Sequence, residues 1–455
     1  MSMNEVPDGA PNFASARPQA RFGLMLLVGF HIVTCCVSLI YVADFYAGYH
    51  VLLFDKTRLY AAAANVAPFA IVSAAFAFSR FSFGYFLGFY FYTMILGYLW
   101  LVAFSNFHYD HTLAGLSAFA SAVAFLAPAL FITSPIRQRL ILSARAFDHL
   151  LSCILIFAAA IIAAGAFHNF RLVGLDDMYS FRGDLEFPGW LRYAMGATAN
   201  ALLPFAFAGF VARKNRWRAS VVLLLLLLLY PITLTKLTLF APVWLLFLAL
   251  LSRFFEARYS VVLSLFLPLF GGVVLALLYK AGALPSPQFL AYFGPVNFRM
   301  IAFPSLAIDI YNDFFSTHSH TYFCQIYLLK PLVNCPYSEP LSIVMSKAYQ
   351  LGNLNASLFA TEGIASVGLV LAPLAVLACG LVISLGNRLS SGLPPSFILL
   401  SGGVLTQNFL NVPLSTNLLT GGAAVVFLLW YVTPRAVFEG IDQGVSLAGG
   451  KPATP

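Results

Sequence analysis

About a dozen apolar stretches, each long enough or nearly long enough to cross a bilayer, run through this chain. One stretch of about 80 residues, from Lys280 to Ala360, interrupts them and is not apolar. A bilayer core takes roughly 20 apolar residues per helix, and backbone facing lipid must satisfy its hydrogen bonds within its own segment. The chain is thereby restricted to an all-α, polytopic integral membrane fold. Chemistry is expected where polar residues break the apolar pattern.

Of 455 residues, 60% are hydrophobic and 9% charged, against roughly 25% charged in soluble domains. Nothing repeats at a solenoid period, and no Pro/Gly/Ser linker sets off a soluble part. One membrane domain over 22–434 is expected, with cytoplasmic tails at 1–21 and 435–455. The first apolar run, 22–43, is not followed by a small-residue cleavage pattern and reads as a retained helix.

A net charge of +8 suggests nucleic acid in a soluble protein, but here the position of the charges matters more, because basic residues mark the cytoplasmic side. No nucleic acid partner is expected. Twelve spans near 22–43, 59–79, 82–104, 112–132, 148–167, 190–212, 219–234, 238–252, 259–279, 361–386, 395–411 and 416–434 put both termini inside. Fifteen of the 25 Lys and Arg then fall inside, Arg137, Arg139, Arg145, Arg213, Lys214, Arg216 and Arg218 among them, and ten outside. The segment 280–360 becomes a large outer loop, with Ser342 to Leu351 as a helix lying along the membrane. Within 219–252, Pro231 lacks a backbone donor and Lys236 is costly at mid-bilayer, so a hairpin with Leu234 to Thr238 at the outer surface is cheaper than one overlong helix.

Cys35, Cys36, Cys153 and Cys379 sit in apolar runs and read as small packing residues. Cys324 and Cys335 share the outer loop and are a disulfide candidate if that compartment is oxidising. There is no phosphate-cradling glycine loop with Lys-Ser/Thr, no Cys-x-x-Cys and no His-Glu-x-x-His, so no metal site or cofactor is expected.

Three outer clusters remain. In the first, Arg171 to Asp184, Arg182 stands beside Tyr179 and Phe181 and offers a planar fork suited to phosphate. In the second, Phe293 to His320, Arg299 lies in an aromatic stretch followed by Asp309, Tyr311, Asp313, His318 and His320. Its aromatic rings suit the apolar faces of sugars, while neighbouring polar groups take their hydroxyls. In the third, Gly352 to Gly363, Glu362 lies near the first turn of a span, where the helix dipole favours an acid.

At these places the chain resembles the Wzy-type O-antigen or exopolysaccharide repeat-unit polymerases, integral membrane glycosyltransferases of bacteria. The likeness rests on Asp177-x-Tyr179-x-x-Arg182, on the Leu234-Thr-Lys236 turn between short helices, on Arg299 to Pro304 followed by Tyr311 to Phe315, and on Asn355 to Gly363 with Gly368. It covers roughly 177–385. The resemblance implies a GT-C-like fold in the inner membrane and polymerisation of undecaprenyl-pyrophosphate-linked oligosaccharide units, with flippase and chain-length regulator proteins as partners. It implies Arg182, Tyr179, Lys236, Arg299 and Tyr311 as substrate-binding residues, and Arg299, Glu362, Asp313 and His318 as catalytic ones. Asp309 and His320 stay open as alternative proton acceptors. A ligase using the same donor, or a multi-span transporter or flippase of lipid-linked saccharide, are the alternative readings.

Overall fold

The structure, a computed structural model, describes residues 18–46, 51–174, 177–183, 185–326, 329–351, 354 and 358–438, with the backbone alone for Pro18, Tyr179, Arg182, Leu358 and Phe359. Ten helices among these are long and apolar enough to cross a membrane. They coincide with the first ten expected spans. The first is α1 (Pro18–Phe45), the second joins α2 (Leu59–Val72) to α3 (Ala74–Phe78), and the third is α4 (Phe83–Leu101) with a short extension to Phe104. Then come α5 (His111–Phe131) and α6 (Ala144–His168). After the short α7 (Met178–Arg182), α8 (Gly189–Ala197) runs through a π-helical turn into α9 (Leu203–Ala212).

The hairpin at 219–252 forms as expected. α10 (Arg216–Leu228) and α11 (Tyr230–Thr233) descend to Leu234, whose φ of 47° puts it in the left-handed region, and α12 (Lys236–Phe254) returns. The Thr235 side chain accepts from the Thr238 N–H and so satisfies a donor at the start of α12. α13 (Ala257–Lys280) is the ninth span. Beyond it lie α14 (Ser286–Phe293), α15 (Phe303–Thr317) and α16 (Leu341–Tyr349), and then α17 (Leu358–Ser390), which carries the tenth.

The count of twelve is corrected at the C-terminal end. The expected spans 395–411 and 416–434 are each two short helices: α18 (Pro395–Ser401) and α19 (Gly403–Phe409), then α20 (Leu414–Leu419) and α21 (Ala423–Val432). Gly402 interrupts the first pair, and Gly422, at φ 84°, turns the chain in the second.

α4 lies at the centre. All nineteen of its residues are buried, as an all-round apolar helix demands, and α1, α2, α5, α13, α15 and α17 pack on it. At its start, Asn387 of α17 accepts from the Gly84 N–H at 2.6 Å and donates to the Ala129 carbonyl at 2.8 Å. A Cβ at Gly84 would lie 2.2 Å from that carbonyl oxygen. One amide thus locks α4, α5 and α17 together at the N-terminal face; the opposite side, from which 281–357 emerges, is the loop face.

The segment 280–360 is also corrected. Its first half is an unbroken helical run of 32 residues, α14, a π-helical stretch Gly294–Ala302 and α15, packed inside the bundle. Twelve of the fifteen residues of α15 are buried. The expected helix near Ser342 to Leu351 exists as α16, with Met345 buried.

Candidate functional site

Two glycines let the run 286–317 into the bundle. A Cβ at Gly97 of α4 would lie 2.3 Å from Ser305 Oγ, and one at Gly272 of α13 would lie 1.7 Å from Asn297 Oδ1. In the space so left, Ser305 donates to the Met94 carbonyl at 2.9 Å, while Asn297 donates to Ser38 Oγ at 2.8 Å and to the Leu269 carbonyl at 3.1 Å. Ser38 and Leu269 belong to the first and ninth spans, so the π stretch reaches below the ends of the spans around it. A π-helical insertion of this kind often accompanies function.

Arg299 lies within that stretch. Its side chain is exposed, and the guanidinium sits 4.1 Å from the centre of the Phe303 ring, a cation–π contact. Phe303 and Phe298 line a cavity of about 180 Å³ together with Tyr46, Leu306, Ile310 and Gln350. Tyr46 and Phe298 stack with ring centres 4.0 Å apart.

Nearly three turns beyond Arg299, Asp309 is 2% exposed. Asn312 donates to the Tyr98 hydroxyl at 3.0 Å, the Tyr98 and Tyr109 hydroxyls are 3.2 Å apart, and Tyr109 donates to Asp309 Oδ1. The direction of these donors ends on the carboxylate. Among the described residues Asp309 Oδ2 and Asn312 Oδ1 are buried without a hydrogen-bond partner, although the Ser105 hydroxyl is close enough to favour the charged acid. Burial outweighs these contacts and pushes the Asp309 carboxyl up to about 7. Burial, and then Asp309 itself, also raise the Tyr109 hydroxyl.

Asp313, half-buried, accepts from the Tyr349 hydroxyl of α16 at 2.7 Å. Tyr311 is fully buried; burial first and Glu362 second raise its hydroxyl. Glu362, in the first turn of the tenth span, accepts from the Leu414 N–H at the start of α20. The second and third sequence clusters are therefore neighbours across the α15–α17 contact. His318 is exposed and stacks on Phe314 with ring centres 3.9 Å apart.

The tenth span is broken at Gly368, whose φ of 76° and ψ of 175° are not helical. The carbonyls this strands are taken up by the loop before Cys324. Thr321 N–H donates to the Ala365 carbonyl at 2.8 Å and Tyr322 N–H to that of Ser366 at 3.1 Å. Pro373 cannot serve the Leu369 carbonyl, and Ser117 Oγ donates to it instead. His320 packs where a Gly368 side chain would go, its Nε2 2.8 Å from the built Cβ position. The expected disulfide is present: Cys324 and Cys335 are bonded, with Cα atoms 5.3 Å apart.

Lys236 is exposed at the start of α12, on the turn that Met178, Tyr230 and Leu234 bind together. The Tyr230 hydroxyl donates to the Val173 carbonyl at 2.8 Å, so the loop after the fifth span is docked on the Lys236 turn. The side chains of Arg182 and Tyr179 lie outside the described residues, as do 175–176, 184, 352–353 and 355–357. The helical run with Arg299 packs instead on α1, α4 and α13. Sequence reading passed over Tyr98, Tyr109, Asn312 and Tyr349. The one local signal was the connection Ser-Asn-Phe-His-Tyr-Asp at 105–110, which concentrates ionisable and aromatic groups at the end of a span. Compared with known protein families, curated proteins and solved structures, the chain matches none of them.

Proposed function

We propose that this chain is a polysaccharide polymerase of the outer face of a bacterial inner membrane, joining oligosaccharide units carried on undecaprenyl pyrophosphate. The observation that carries the reading is the helical run 286–317. It holds an exposed arginine, an aromatic-walled cavity and two carboxylates, Asp309 buried and Asp313 half-buried, together on the loop face of a bundle built for lipid.

In the reaction, the bond between the sugar anomeric carbon and the pyrophosphate oxygen breaks, and the electron pair leaves on the pyrophosphate. A hydroxyl of the incoming unit forms the new bond and gives up its proton. Arg299 meets the first need, because a fork of N–H donors at a water-poor surface stabilises charge as it develops. Arg182 and Lys236 stay in the reading as further cations for the diphosphate, although the docked loop and turn pack on other elements than the run with Arg299. Asp313, Glu362 and His318 are the proton acceptors. Tyr179 offers its ring and hydroxyl to the sugar, while Tyr311, buried with its hydroxyl donating to the Leu354 carbonyl at 3.4 Å, is corrected from sugar contact to a supporting residue; flippase and chain-length regulator proteins are the expected neighbours.

Deleting the gene in its host and resolving the surface polysaccharide by size tests this. Loss of polymer with accumulation of a single-repeat product is expected. Full-length chains left unattached would favour a ligase, and an unchanged polysaccharide would sink the reading.

A further inference from the structure

A second cavity, of about 410 Å³, lies on the loop face and is lined by Val37, Ile40, Tyr41, Asp44, Phe54, Lys56, Leu59 and Lys280, none of which lines the first. Its shape follows from the packing. α1 and α2 both rest on α4, and α1 also meets α3 near the N-terminal face. Toward the loop face the last turns of α1 and the first of α2 stand apart around this opening. Its walls differ in exposure: Val37, Ile40 and Leu59 are half-buried, whereas Asp44, Lys56 and Lys280 are exposed, and from residue 37 to residue 44 α1 rises about 10 Å.

An apolar slot with a charged mouth at the level of a bilayer surface matches an amphiphile. The charges say which one. Lys280 is already committed: its Nζ is 2.9 Å from Asp44 Oδ2 and 4.9 Å from the centre of the Tyr41 ring. Lys56 forms no ion pair among the described residues, and the neighbouring Asp55 is occupied as the helix cap, accepting the Thr57 N–H at 2.9 Å. Asp55 keeps its charge but faces Arg58, so Lys56, Arg58 and Lys280 against Asp44 and Asp55 leave a single positive charge at the mouth. That balances one phosphodiester and not the larger charge of a diphosphate.

We propose that this cleft binds one anionic phospholipid of the leaflet at the loop face, its phosphate between Lys56 and Lys280 and an acyl chain along Val37, Ile40 and Leu59. The site is separate from the reading of Arg299 above and does not depend on it.

The test is native mass spectrometry of the full-length protein released from mixed vesicles of phosphatidylglycerol and phosphatidylcholine. Preferential retention of one phosphatidylglycerol is expected, weakened about fivefold by Lys56→Gln, in line with the contribution of one basic residue at a membrane surface. Lys347→Gln, an exposed lysine paired with Glu339 elsewhere on this face, should leave retention unchanged. Because Lys56 is exposed and forms no ion pair among the described residues, its replacement leaves the packing intact. Equal retention of the two lipids, or no effect of Lys56→Gln, overturns the proposal. So does displacement of the phosphatidylglycerol by inorganic phosphate alone, or by a polyprenyl diphosphate at equal concentration.

Discussion

At the N-terminal face of the bundle several arginines end on protein oxygens, while at the loop face several buried acceptors have no hydrogen-bond partner among the described residues. Arg435 donates to the carbonyls of Trp430 and Thr433 at 2.6 Å and of Leu389 at 2.7 Å, closing the ends of α21 and α17. Arg388 reaches the Ser134 carbonyl at 3.2 Å, and Arg213 pairs with Asp148 at 2.8 Å. At the loop face Asn297 Oδ1, Asp309 Oδ2 and Asn312 Oδ1 are buried without a hydrogen-bond partner. Four of the five described non-glycine residues with positive φ, Leu234, Tyr322, Phe323 and Gln350, are also there. A buried orphan costs about 1–3 kcal/mol, and such costs persist where the surrounding packing imposes them. The two ends differ in residue type: guanidinium groups finish the scaffold at one, where the Ser79 and Tyr85 hydroxyls are buried without a partner among the described residues, and amide and carboxylate oxygens are left so at the other.

The harshest way to break this contrast is to keep the run 286–317 out of the bundle. Gly97→Leu should yield no folded protein, since overpacking costs about 1–3 kcal/mol even where neighbours can move and here Ser305 Oγ is hydrogen-bonded on both sides. Gly29→Leu, where nothing lies within 4 Å, should purify normally. Equal yields of the two would mean that the run does not need that space.

Next in size is a pair of arginine variants. Arg299→Ala should reduce chain extension at least about 100-fold, the scale of one lost donor to developing charge, at normal protein abundance; Arg299→Lys should restore little. Arg435→Ala should do the reverse, lowering thermal stability by about 2 kcal/mol with unchanged activity per folded molecule. Full-length polysaccharide from Arg299→Ala would remove this arginine from the pyrophosphate.

Asp309 gives a pH test. Its carboxyl is raised in the folded protein from 3.8 to about 7, so the folded state keeps a proton that the unfolded chain releases. Stability is then greatest below pH 3.8 and falls as pH rises to about 7, where it levels. The ceiling is about 4 kcal/mol. Asp309→Asn should flatten the slope in thermal unfolding across that window, and an unchanged slope would assign it to other groups. The smallest effect expected is at Lys236. Lys236→Arg should stay within about twofold of normal extension and Lys236→Ala should lose about fivefold, since an exposed cation contributes on the order of 1 kcal/mol.

Hydropathy alone located ten spans, because nothing but a helix of that length and apolarity satisfies a bilayer. The hairpin at Leu234 was legible from Pro231 and Lys236. The run 286–317 was not, because Arg299, Asp309 and Asp313 lower its hydropathy and make it read as a loop, although its partners bury it. At the other end 395–434 is apolar enough to read as two spans, yet Gly402 and Gly422 divide it. The residues Arg299, Tyr311, Asp313 and Glu362 were visible as polar exceptions. The partnership of Tyr109 with Asp309 spans 200 residues and leaves no local pattern in either segment.

That separation has a consequence for biogenesis. α4 is enclosed on every side in the finished protein, yet its Tyr98 and the nearby Tyr109 leave the ribosome long before Asp309 and Asn312 exist. At roughly 5–20 residues per second, 200 residues take on the order of 10–40 s. During that interval the slot beside Gly97 must be filled by something else, lipid or a membrane insertase. The translocation machinery therefore has to accept a central helix that waits, half-dressed, for a partner made much later.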